Sequence, residues 1–270
     1  MNKSLVDITC FSEKRKNLLL LLMGGDCSID EIKKKLDETS TSILPQIKIL
    51  KESGLVIQGD EFYSLSPLGK LIIENIKPVL TTLEILDTHY EYLNEHDLSA
   101  VPGHLLDRIG ELQGCTVIEP SLVDTFQPNK HIMDDLIRSE DIVTFVSVYH
   151  PAFPSIYAEL AQKGVHISLV MTPRSFNRQS EEFPMETETL IRQDNSEISV
   201  YRDAPMPAIL VVTDRILYLS LLDRQRSYEH RSLICNEPEA IRWGYELFDW
   251  YRQRSEPVTD VGGMDPANEG

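Results

Sequence analysis

The chain has 270 residues, enough for one large domain or two ordinary ones, and its 41% hydrophobic and 26% charged content is normal for a folded soluble protein. A net charge of −17 argues against a protein that coats nucleic acid, but the excess is uneven: residues 1–80 hold 11 Lys+Arg and 11 Asp+Glu, which leaves 15 and 32 for the rest. No apolar run reaches the roughly 18–20 residues that span a bilayer, and Lys3 is followed by Asp7 rather than by a signal h-region, so a cytoplasmic protein without membrane contact is expected.

Residues 12–23 (SEKRKNLLLLLM) start at a Ser N-cap and stop at Gly24-Gly25, a helix pattern. Residues 28–37 (SIDEIKKKLD) open with the S-x-x-E capping box and place Ile29, Ile32 and Leu36 on one face. A third helix is expected over 41–52, with Ile43, Ile47 and Leu50 as its core stripe and Pro45 in or near its first turn, where a missing N–H costs little. Residues 55–57 and 62–65 read as strands joined by a tight turn at Gly59-Asp60. Three helices followed by a hairpin make a winged helix-turn-helix over residues 1–66.

That order points to double-stranded DNA. Major-groove readout needs short polar side chains at the start of the inserted helix and cations nearby for phosphate. Ser40, Thr41 and Ser42 supply the first, and Gln46 and Lys48 are expected on the exposed side of the same helix. Lys51, Lys33, Lys34 and Lys35 are the phosphate candidates, although Asp60 and Glu61 make an acidic wing tip. The alternative use of such a domain is protein–protein contact, with no DNA.

From Pro67 to about Asn94 one long helix is expected, with Pro78 kinking or dividing it. Ile76, Val79, Leu83, Leu86, Tyr90 and Leu93 alternate spacings of 3 and 4, a heptad seam. Residues 67–97 are therefore a linker that packs on its own domain or forms a homodimer.

After residue 98 strands and helices alternate. Strands are expected at 115–119, 141–149, 165–172, 197–202, 208–214 and 216–222, and helices at 129–139, 153–164, 184–193 and 237–254. Near-continuous apolar strands between helices predict an α/β domain over 98–254 with a mainly parallel sheet, its last strand pair antiparallel. The fold class is thus a two-domain α+β and α/β chain. Residues 255–270, rich in Pro, Gly and acid, read as a flexible tail. Trp243, Phe248 and Trp250 at helical spacing read as packing rather than a cofactor box.

Residues 12–69, and SILPQIKILKESGLVIQGDEFYSLSPLG within them, resemble an archaeal ArsR-type winged helix. The stretches IRSEDIVTFVSVYHP and RSLICNEPEAIRWGYELFDWYRQRS resemble the effector domain of the methanogenesis-regulatory-protein family of archaeal transcription factors. Together the two resemblances cover nearly the whole chain. They imply a one-component regulator whose second domain senses a metabolite and is distantly similar to the phospholipase-D-like fold.

Phospholipase-D chemistry needs H-x-K-x-x-x-x-D, with His as nucleophile and Lys on the phosphate. None of the seven histidines has Lys two residues later, and no other catalytic motif is found, so no catalytic residue, cofactor or metal is assigned. An enzyme with a fused winged helix is the second alternative.

In open α/β sheets ligands bind beyond the carboxyl ends of strands. Tyr149-His150, Thr172 with Arg174, and Tyr201-Arg202 follow three expected strands. If those strands are parallel neighbours, their tips converge and suit a small, anionic metabolite. The competing reading is that the arginines pair with nearby acids. Cys10, Cys27, Cys115 and Cys235 are scattered and read as buried free thiols, with redox sensing as the alternative.

Overall fold

The structure, a computed structural model, describes residues 4–119 and 130–261, the side chains of 130 and 131 excepted. The chain divides into two compact units, Met1–Thr81 and Thr82–Gly270.

The first unit opens with α1 (Leu5–Thr9) and α2 (Glu13–Met23). A short strand β1 (Cys27–Ser28) leads into α3 (Ile29–Leu36), and α4 (Ser40–Glu52) follows. The capping box at α3 is present: Glu31 N–H donates to Ser28 Oγ at 3.3 Å, and Ser28 N–H to the Glu31 carboxylate at 2.8 Å. That backbone bond holds the Glu31 carboxyl below its ordinary value. The hairpin strands are β2 (Val56–Gln58) and β3 (Phe62–Leu65), and the sheet order is β1-β3-β2. A two-residue strand carries no periodicity, which is why β1 is invisible in the sequence. Leu18, Leu19, Leu22, Ile32, Ile43, Ile47 and Leu50 form the core; the α4 stripe is buried as its spacing predicts, whereas Ile29 and Leu36 of α3 are only partly buried.

Two details differ from expectation. Helix α4 starts at Ser40, so Pro45 is its sixth residue and lies beyond the first turn. Next comes α5 (Pro67–Thr88), which runs through Pro78 unbroken; the division falls at His89, and α6 (Tyr90–Glu95) follows it. Buried Ile73 and Ile85 anchor the turns on either side of Pro78, which outweighs one lost backbone bond. Along the heptad seam Val79, Leu83 and Tyr90 are exposed, Ile76 and Leu86 half-buried, and Leu93 buried. The helix begins with Ser66, whose Oγ accepts Gly69 N–H at 2.9 Å and donates to the Gly54 carbonyl at 2.6 Å. A Cβ at Gly69 would lie 2.1 Å from the Leu55 carbonyl oxygen, so only glycine fits there.

The second unit continues with α7 (Gly103–Leu106), β4 (Thr116–Ile118), α8 (Lys130–Arg138), β5 (Asp141–Val146), α9 (Phe153–Gln162) and β6 (His166–Met171). Then come α10 (Pro173–Glu182), α11 (Pro184–Arg192), β7 (Ser196–Val200), β8 (Ile209–Thr213), β9 (Leu217–Ser220), β10 (Ser232–Cys235), α12 (Pro238–Arg252) and β11 (Glu256–Pro257). Eight strands form one sheet in the order β11-β7-β6-β5-β8-β9-β10-β4. Only β5, β6 and β7 run parallel; every other pair is antiparallel. The sheet is therefore mixed, and the mainly parallel expectation is corrected. Helical crossovers enforce parallel pairing for β5–β7, whereas the tight turn after β8 enforces an antiparallel hairpin. Apolar runs in the strands report burial on both faces, not direction. One face packs on α12 through Trp243, Leu247, Phe248 and Tyr251. The other packs on Tyr157, Leu160, Phe176 and Leu190. The β8–β9 turn is set by Thr213, whose Oγ1 accepts the N–H groups of Arg215 and Ile216 at 3.0 and 3.1 Å.

The sequence reading also missed α10, β10 and β11. Strand β11 lies in the segment expected as a tail; it pairs with β7, and Val258 beyond it is buried. The rest of that tail, 262–270, and residue 129 lie outside the described residues.

Candidate nucleic-acid interface and effector site

Helix α4 buries Ile43, Ile47 and Leu50, which turns Thr41, Leu44, Pro45 and Lys48 outward. Ser40 and Ser42 are half-buried at its start. Ser42 Oγ is taken by Lys14, which also pairs with Glu38 at 2.9 Å and holds that carboxyl below its ordinary value. Gln46 is not free on the exposed side as expected. Its Oε1 accepts from Arg15 Nη1 at 2.9 Å, and the buried Arg15 is fixed by the Ile8 and Asp7 carbonyls at 2.7 and 3.1 Å. The outward face thus combines one hydroxyl, one cation and an apolar pair suited to a thymine methyl.

Two of the candidate lysines sit in ion pairs with neighbouring acids. Lys33 pairs with Asp30 at 2.8 Å and Lys48 with Glu52 at 3.8 Å. Lys51 Nζ donates to Gln58 Oε1 of the wing at 2.5 Å, and Lys35 Nζ to Cys27 Sγ at 3.8 Å. Lys34 is exposed. Exposed pairs of this kind are worth about 0–1 kcal/mol, so phosphate can displace the acid at little cost. Asp60 and Glu61 are exposed at the wing tip.

In the second unit the three strand tips do converge, because Val146, Met171 and Val200 are in register across β5, β6 and β7. The side chains beyond them are largely committed. Thr172 is buried and caps α10, its Oγ1 accepting Ser175 N–H at 3.3 Å. Tyr201 is buried against Phe145 and Tyr251. Arg202 Nε reaches Glu256 at 3.3 Å. Tyr149 donates to Glu182 at 3.2 Å under the Arg178 guanidinium, and desolvation pushes its phenol up to about 12. His150 Nδ1 accepts Ala152 N–H at 3.2 Å, and Arg174 is exposed. A separate cleft of about 400 Å³ is lined by Leu93, His96, Asp97, Leu98 and Arg224. His96 is buried, its Nδ1 donates to the Tyr92 carbonyl at 2.6 Å, and its Nε2 has no partner among the described residues. Burial holds this imidazole below its ordinary value.

The N-terminal domain of methanogenesis regulatory protein FilR1 matches residues 4–84, and the middle domain of the same protein matches residues 125–254. The chain belongs to the FilR1 family. A methanogenesis regulatory protein FilR1 from Methanothrix harundinacea (strain 6Ac) is 22% identical over 260 residues, covering 94% of this chain and 58% of the relative. This FilR1-family chain therefore spans little more than half the length of that relative. Among solved structures, TrmBL2, an archaeal chromatin protein that shows a novel mode of DNA binding, is 13% identical over 94% of this chain and 97% of its own, with a TM-score of 0.43. The phospholipase D family member Nuc from Salmonella typhimurium is 8% identical over 47% of this chain and 88% of its own, with a TM-score of 0.35. Likenesses this loose carry no functional argument.

Sequence reasoning about this FilR1-family chain missed Lys14 and Arg15, which reach α4 from α2, because tertiary contact alone brings them there. It missed the His96 cleft for the same reason, since Arg224 comes from the loop after β9. Among the described residues no cluster of His, Cys, Asp or Glu could hold a metal ion, and no helix is long and apolar enough to cross a membrane.

Proposed function

We propose that the chain is a one-component transcriptional regulator that binds double-stranded DNA through its first unit and answers a small metabolite through its second. The observation that carries the reading is the outward face of α4: Thr41, Leu44 and Lys48 are exposed on a helix whose other side packs into the core of the first unit, and Lys51 at its end bonds to Gln58 of the hairpin. Membership of a regulatory-protein family supports it. The exposed seam residues Val79, Leu83 and Tyr90 support homodimerisation, which would present two recognition helices to a palindromic site. The effector site assigned here is the edge formed by the three strand tips, where Arg174 and His150 suit a small carboxylate or phosphate. Catalysis forms no part of the reading, because no histidine of this chain carries the phospholipase-D spacing.

The test is a mobility shift on DNA from upstream of the protein's own gene, compared with random DNA across a salt series. Specific binding that weakens steeply with salt is expected, with a log–log slope of about −0.9 per phosphate contact. Lys34→Ala should weaken all sequences alike and lower that slope by about one, whereas Thr41→Ala should erode the preference for the operator. Equal affinity for both DNAs at every salt concentration would sink the reading. The sensing half is tested separately, by calorimetry with a panel of carboxylate and phosphate metabolites and by the Arg174→Ala variant. Heats unchanged by that variant would move the effector elsewhere.

A further inference from the structure

Two of the four cysteines face each other, although 119 residues separate them in the chain. Strands β4 and β10 pair antiparallel, with Thr116 opposite Ile234, Val117 opposite Leu233 and Ile118 opposite Ser232. One step further along the same register sets Cys115 opposite Cys235. Directly opposed residues of an antiparallel pair project to the same face, and both cysteines are buried in the same hydrophobic cluster, at 4% and 3% exposure. The backbone of Cys115 is spent elsewhere: its N–H donates to the Leu112 carbonyl at 3.1 Å, and its carbonyl accepts from His89 Nε2 at 2.9 Å. That is the pattern of a non-hydrogen-bonded pair, whose Cα atoms sit about 4.5 Å apart, inside the roughly 4.4–6.8 Å range that a disulfide spans.

The two thiols also differ in character. The Cys115 thiol donates a hydrogen bond to the Cys235 sulfur, and the backbone N–H groups of Asn236 and Glu237, at the start of α12, do the same. These donors draw the Cys235 thiol below its ordinary value, and donating the bond raises that of Cys115. Position assigns the roles: Cys235 lies just before the N-terminus of α12, where the helix dipole favours a thiolate, so it is the nucleophile, and Cys115 opposite it is the resolving thiol.

We propose that Cys115 and Cys235 are a reversible dithiol–disulfide pair that reacts with small hydroperoxides. The Cys235 thiolate attacks the terminal, hydrogen-bearing oxygen of the peroxide, the O–O bond breaks, and hydroxide leaves from hydrogen peroxide or alkoxide from an alkyl hydroperoxide, giving a sulfenic acid. The Cys115 sulfur then attacks the sulfenic sulfur. The S–S bond forms as the S–O bond breaks, and water leaves with the Cys115 proton. The two sulfurs lose two electrons to the O–O bond, and a thiol reductant reverses the step through a mixed disulfide. The product ties the edge strand β4 covalently to β10 and to the start of α12.

The experiment uses the full chain, reduced and folded, treated with hydrogen peroxide, then alkylated, digested and analysed by mass spectrometry. The expected result is a linked peptide pair containing Cys115 and Cys235, loss of two hydrogens per chain, a raised Tm, and complete reversal by dithiothreitol. Cys115→Ser should leave a sulfenic acid on Cys235 that dimedone traps, and Cys235→Ser should leave Cys115 as an unreacted thiol. Both thiols remaining alkylatable after Cys10 is oxidised would overturn the proposal. So would linkage through Cys10 or Cys27, or over-oxidation of Cys235 without a linked product. The wild-type result alone decides should either variant fail to fold.

Discussion

Replacing Gly69 by Ala sets two opposing effects against each other within the first turn of α5. Helix propensity alone favours Ala over Gly by about 1 kcal/mol. The packing says otherwise. The added Cβ would stand 2.1 Å from the Leu55 carbonyl oxygen and 3.0 Å from its carbon, where ordinary contact begins at 3.4 Å. Both partners are backbone, so no rotamer change relieves the overlap. The helix start must retreat by about an ångström, which strains the bond from Ser66 N–H to that same carbonyl, now 3.0 Å. Overpacking costs roughly 1–3 kcal/mol and the weakened hydrogen bond roughly 0.5–1.5 kcal/mol. Less the propensity gain, the first unit should lose roughly 1–3 kcal/mol. Hydrogen–deuterium exchange on the full chain reads this directly, because amides of α4 and β3 that open with the unit should exchange roughly 5- to 150-fold faster. Slower exchange than wild type would mean that propensity wins and the close approach at Leu55 is not a constraint.

Other outcomes follow from single groups. Pro45→Ala restores the N–H that α4 lacks at its sixth position, which should stabilise the first unit by up to about 3 kcal/mol; exchange in α4 that fails to slow would show that the helix already absorbs the proline. Trp243 donates its indole N–H to the buried Leu105 carbonyl at 3.0 Å. Trp243→Phe should cost about 1–3 kcal/mol in urea unfolding, and a loss no larger than that of Trp250→Phe would refute this. His96 is buried with its pKa lowered, so the unfolded chain takes up a proton first. Its contribution to stability should be complete above about pH 6.5 and should fall as pH drops toward the folded-state value. Unfolding followed by tryptophan fluorescence at pH 7.5 and 5.5 measures the difference, and His96→Gln should shrink it; an unchanged difference would assign the acid sensitivity to other groups.

Local signals made most of the elements legible. The S-x-x-E box predicted the start of α3 because its two hydrogen bonds join residues three apart. The stripe Ile43, Ile47 and Leu50 predicted the buried face of α4, and the strand cores of β5 to β9 followed from their apolar runs. What failed was long-range. Apolar runs could not distinguish parallel from antiparallel strands, since helices cover both faces of this sheet either way. The freedom of Gln46 could not be read from its own helix, because Arg15 reaches it from α2. The three strand tips converge at one edge of the sheet, as parallel neighbours would, yet the sequence could not tell that Thr172 and Tyr201 are consumed by a cap and an aromatic cluster. The cysteines are the sharpest case. The sequence by itself determined that they carry no metal-binding spacing. Only the register of β4 on β10 decided that two of them stand face to face, because pairing between strands far apart in the chain is fixed by the closed sheet and not by either strand alone.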